Sequence, residues 1–93
     1  MIKITVKFSA QIKQAAGVPS KIIELEHACP VKDLLLRLAQ EHGGTFRQVI
    51  LDSEGRPKDT ILVFVDDTHV LWNDPEPLKD GDVISLMAPV SGG

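Results

Sequence analysis

The sequence predicts an α+β domain in which one main helix packs across one face of a mixed sheet of about five strands. Three observations carry that prediction. Ile2, Ile4, Val6 and Phe8 alternate with Lys3, Thr5 and Lys7, the period of a strand with one buried face. Val31, Leu34, Leu35, Leu38 and Ala39 fall at i, i+3, i+4, i+7 and i+8, which lines one side of a helix. Two further apolar, β-branched runs, TILVFV from Thr60 and VISLM from Val83, supply strands near the end.

Taken in order, the first strand runs into SAQIKQAA, where Ser9 suits an N-cap and Gly17 supplies the left-handed exit of a short helical turn. SKIIELE resumes the alternation with Ile23 and Leu25 opposite Glu24 and Glu26, so the first two strands form a hairpin with a long connection. The main helix starts near Pro30, carries Asp33 at its positive end and stops at Gly43 or Gly44. Leu36 falls off its stripe. Phe46, Val49 and Ile50 repeat the helical spacing briefly, and DSEGRPKD reads as a surface loop. The run from Thr60 to Val65 is apolar on both faces and predicts a strand covered on most sides. Asp66 and Asp67 turn the chain into THVLW, and Asp80-Gly81 reverse it into the last strand, Val83 to Met87.

Strand, strand, helix, strand, strand, strand suggests an α+β sheet with the helix across one face, and it is the order of the β-grasp fold, in which the first and last strands lie side by side in the centre, a pairing that periodicity alone does not give. Residues 1–88 are expected to form that domain and residues 89–93 a flexible C-terminal tail.

Composition narrows the function classes. The 93 residues are 43% hydrophobic and 25% charged with a net charge of −3, ordinary for a packed domain. The ten Lys and Arg are scattered, which argues against nucleic acid as a partner. Cys29 is the single cysteine, so no internal disulfide or Cys-rich metal site is expected. With no apolar leader and no membrane-length run, the expected location is the cytoplasm, with no membrane partner.

No residues are spaced as a nucleophile, base and orienting group, so no catalytic residue is assigned among His27, His42, His69 and the carboxylates. His27 and Cys29 are two apart and would suit an activated thiol, but the burial habit of free cysteine favours a small core residue beside a surface histidine. The acidic stretch from Asp66 to Asp82 lacks the EF-hand spacing, which leaves turn chemistry and no metal. Neither phosphate-binding glycine motif is present, so a nucleotide would have to come from a partner. Lys3, Lys7, Lys13 and Lys21 are either a basic face for an acidic partner or solvated positions. Trp72 is either a partner anchor or a cover for the end of the core.

The sequence ends PVSGG. Gly92 and Gly93 lack Cβ atoms, so an extended chain ending in them can thread a channel too narrow for side chains. The reactive group there is the α-carboxylate of Gly93, a poor electrophile until adenylation supplies a leaving group. Attack on the acyl adenylate by a sulfur donor would leave a thiocarboxylate. The competing reading is a frayed terminus without function.

LKDGDVISLMAPVSGG, with its L-x-D-G-D turn and P-V-x-G-G end, resembles the ubiquitin-like sulfur carriers typified by the small subunit of molybdopterin synthase and by the thiamine-pathway carrier. MIKITVKFSAQIKQAAG and PVKDLLLRLAQ resemble the first strand, short helix and main helix of that family. The resemblance implies a β-grasp protein that is not itself an enzyme and binds no cofactor. An E1-like adenylyltransferase would activate it with ATP and Mg²⁺, and a persulfide donor would charge it. Gly93 would be the point of adenylation and sulfur attachment, Gly92, Ser91, Val90 and Pro89 would thread the tail, and Leu86 and Met87 would meet the partner at its base. An acceptor enzyme such as the molybdopterin synthase large subunit would take the sulfur. Met87, Ala88 and Pro89 stand where carriers of that pathway have an aromatic residue and two prolines. The length of the loop from Thr45 to Asp59 and its passage GRPKDTILVFVDD are similar to a carrier for cysteine synthesis. Thiamine synthesis, tRNA thiolation, isopeptide modification of proteins and a non-covalent interaction module are the remaining alternatives.

Overall fold

Alternation along Ile2–Phe8 places Ile4, Val6 and Phe8 in the core and builds β1. The computed structural model describes residues 1–88. Helix α1, Ala10–Ala16, follows, then β2, Ser20–Leu25, which pairs antiparallel with β1. Ser9 occupies the N-cap position of α1 without donating or accepting a side-chain cap bond, so its predicted capping role is positional only. Gly17 takes the left-handed conformation expected of it, with φ of 80°, and its N–H reaches the carbonyl of Lys13.

Helix α2, Val31–His42, buries all five residues of the predicted stripe against the sheet. The stretch after it does not begin as a loop. Gly44–Ile50 forms a third helix, α3, because Phe46 and Ile50 both reach the core from one side of it. The remaining strands are β3, Leu62–Val65, β4, Thr68–Val70, and β5, Val83–Met87. Leu71 and Trp72 lie beyond the end of β4 instead of within it.

The five strands stand in the order β2-β1-β5-β3-β4. As expected, β1 and β5 are central neighbours, and they run parallel. Residues in register share a face, so Ile4, Val6, Ile23, Ile84, Leu86 and Val63 point towards the helices, where one apolar core lies between sheet and helices. Among the described residues no helix lies over the other face. Among the described residues no helix is long and apolar enough to cross a membrane.

Candidate functional site

The residues that align the last strand come from the turn before it. Asp80 Oδ1 accepts a hydrogen bond from the backbone N–H of Lys3 at 2.7 Å, and the N–H of Gly81 donates to the carbonyl of Lys3 at 2.9 Å. Gly81 makes that approach with φ of +89°, a conformation L side chains rarely adopt. Asp82 Oδ2 accepts from the N–H of Lys79 at 2.8 Å, and its carbonyl accepts from Thr5 at 3.1 Å. Leu78 is buried and donates its N–H to the carbonyl of Cys29 at 2.9 Å. The turn is therefore a clamp that seats β5 beside β1.

A second fastening joins β5 to β3. Asp66 adopts φ of 56° at the tip of the β3–β4 hairpin, a region its short polar side chain tolerates. Its N–H donates to the carbonyl of Val83 at 2.7 Å, and its Oδ1 accepts from the N–H of Val83 at 3.1 Å. The start of β5 is thus held from both sides.

At the other end of β5, Leu86 is fully buried and Met87 is 41% exposed. The expected partner contact at Leu86 is corrected on that ground: its side chain belongs to the core, and of the two only Met87 is open to a partner. Pro89, Val90, Ser91, Gly92 and Gly93, the expected threading and attachment residues, lie outside the described residues.

Met87 does not stand alone on the helix-free face. Leu62 is its partner in register, and Phe64, two residues on, shares that face, with the ring of His69 at 5.4 Å from its own. The predicted covering of the Thr60–Val65 run is corrected here. Val63 is buried on the helix side, whereas Leu62 and Phe64 are only half-buried, because the strand order leaves the opposite face bare. The doubled apolar pattern of LVFV was the available signal for this patch.

The other candidates are dispersed. Lys3 and Lys7 share the helix-free face, Lys21 is bonded to Glu41 of α2 at 3.1 Å, and Lys13 is on α1, so the four lysines do not form one basic face. Trp72 is half-buried against the core, with its indole N–H donating to Asp59 at 2.9 Å. Burial, with Asp33 nearby, pushes the Cys29 thiol up, which is opposite to what an activated nucleophile requires. His42 packs its ring 4.7 Å from that of Phe46. Among the described residues no three His, Cys, Asp or Glu side chains are grouped to hold a metal ion.

The family model described as the ThiS family matches residues 6–93. The chain is 30% identical over 92 residues to a molybdopterin synthase sulfur carrier subunit of Chlamydomonas reinhardtii, covering 99% of this chain and 100% of that one. It is 27% identical, with the same coverage, to small archaeal modifier protein 3 of Haloferax volcanii. The solution structure of small archaeal modifier protein 1 from Methanosarcina acetivorans superposes with a TM-score of 0.81 at 28% identity, over 100% of this chain and 98% of that one. A central parallel pair ending beside a bare sheet face, with a family match over nearly the whole length, places this chain in the ThiS family of ubiquitin-like sulfur carriers and modifiers.

Proposed function

We propose that this protein is a sulfur carrier, without catalytic activity of its own, whose Gly93 carboxylate is the working group. Support comes from membership of the ThiS family together with a sequence that ends in Gly92-Gly93 a few residues after β5. A carboxylate oxygen of Gly93 attacks the α-phosphorus of ATP held with Mg²⁺ by an E1-like adenylyltransferase, and pyrophosphate leaves. The terminal sulfur of a persulfide then attacks the acyl carbon and AMP leaves. A second thiol of the donor enzyme cleaves the resulting acyl disulfide, which releases the thiocarboxylate and leaves a disulfide on that enzyme. ATP and Mg²⁺ belong to the partner, and the proposed setting is the cytoplasm.

The domain's part is to be held. The patch of Leu62, Phe64 and Met87 lies on the helix-free face at the C-terminal end of β5, and apolar side chains rimmed by Lys7 and His69 suit a protein partner. We favour molybdopterin synthase as the acceptor, on the strength of the algal relative's name. The modifier names of the two archaeal relatives favour a second reading, isopeptide transfer of the same carboxyl to lysines.

Intact mass after incubation with the adenylyltransferase, ATP and a persulfide donor tests the carrier reading. The full chain is expected to exchange one oxygen for sulfur, and a chain lacking Gly93 is expected not to. Loading that survives deletion of Gly93 sinks the proposal. Covalent adducts in lysate, absent from the same deletion, would establish the modifier reading instead.

A further inference from the structure

On the helix side of the sheet, at the β4 edge, a cavity of about 240 Å³ opens between the β3–β4 hairpin and the segment from Asp74 to Asp82. Its floor is apolar: Val31 from the start of α2, Val65, Val70 and Leu78. Its rim is acidic, with Asp66, Asp74, Glu76 and Asp82 against one cation, Lys79. Three of those carboxylates are fixed by a backbone N–H on one oxygen. Asp66 is fixed by Val83, Asp74 by Glu76 and Asp82 by Lys79. Among the described residues none of the four is within 4.0 Å of a cationic nitrogen.

Turn formation accounts for each aspartate singly, but not for their convergence around a hollow with an aliphatic floor. The volume falls below the ~300–1,000 Å³ of small-molecule sites, and fits a single anchoring side chain from another protein. Charge sets the remainder of the occupant, because carboxylates already oriented by the backbone present their free oxygens to a cation without further ordering. We propose that this cavity docks a basic segment of a partner protein, with one aliphatic side chain on the Val31, Val70 and Leu78 floor and flanking lysines or arginines on the rim. It lies on the opposite face of the sheet from Leu62, Phe64 and Met87, so the two surfaces can be occupied together. The inference holds whether or not Gly93 carries sulfur.

Amide chemical shifts of the full chain, followed during titration with a short capped peptide of alternating lysine and leucine, provide the test. The expected result is saturable shifts centred on Val65 to Val70 and Leu78 to Asp82, reversed by salt. A glutamate–leucine peptide and a lysine–glycine peptide should bind more weakly. Among the described residues the Glu76 carboxylate has no hydrogen-bond partner, and an asparagine at 74 keeps the acceptor for the 76 N–H, so Glu76→Gln and Asp74→Asn preserve the fold. Together they should weaken binding by about fivefold or more. Equal binding of the lysine–glycine peptide, shifts centred on Phe64 and Met87, unchanged affinity in the double variant, or no saturable shift would each overturn the proposal.

Discussion

Asp66 shows how much one residue contributes to the seat of the last strand. Alanine at this position would hold a left-handed backbone without an acceptor for the Val83 N–H, and the two losses together should cost about 1–2 kcal/mol in a urea titration. Asparagine keeps the acceptor and tolerates the conformation, so Asp66→Asn should unfold close to the natural chain. Glu41 gives a pH-dependent contribution. The hydrogen bond from Arg37, with further help from Lys21, holds its carboxyl below the ordinary glutamate value. Its folded state therefore binds a proton less readily than the unfolded chain. That stability is fully present above the ordinary glutamate range and is lost as pH falls towards the lowered folded value. Glu41→Gln should accordingly lower the melting temperature near neutrality, and the difference from the natural chain should shrink on acidification. A constant difference from neutral to acid pH would rule this linkage out.

At the level of elements, α2 was the most legible in the sequence because its information is local. Five apolar residues at helical spacing name both the helix and its buried face, and all five are buried. Leu38 at their centre is fully enclosed, so Leu38→Ala should cost about 2–5 kcal/mol by calorimetry or urea melt. The β3 run was legible as a strand but not as a surface. LVFV is apolar on both sides, which a local pattern equates with burial on both sides, while exposure of Leu62 and Phe64 depends on which strands flank it. The Asp80-Gly81 turn was legible only as a reversal. Its bond from Lys3 to Asp80 joins residues 77 apart in sequence, and no window of neighbouring residues contains it. The edge of β2 was likewise invisible. There Arg37 donates to the carbonyl of Glu24 at 3.1 Å, so a charged side chain occupies a backbone acceptor of the edge strand.

For the whole molecule, the succession of elements matched the β-grasp order and so pointed to a central first–last pair, but no periodicity gives that pairing, because it depends on a strand that arrives last and enters the middle. β5 is hydrogen-bonded to β1 on one side and β3 on the other, and it brings Ile84 and Leu86 to the core. A chain ending at Asp82 should therefore lose dispersed amide resonances and cooperative unfolding altogether, instead of fraying at one edge. The parallel pairing of β1 and β5 has a mechanical meaning as well. The chain enters β1 at one end of the pair and leaves β5 at the other, so tension between its two ends loads their shared hydrogen bonds in shear, all at once, instead of peeling them singly. A pull applied at the end of β5 is therefore met by the sheet along its most resistant direction.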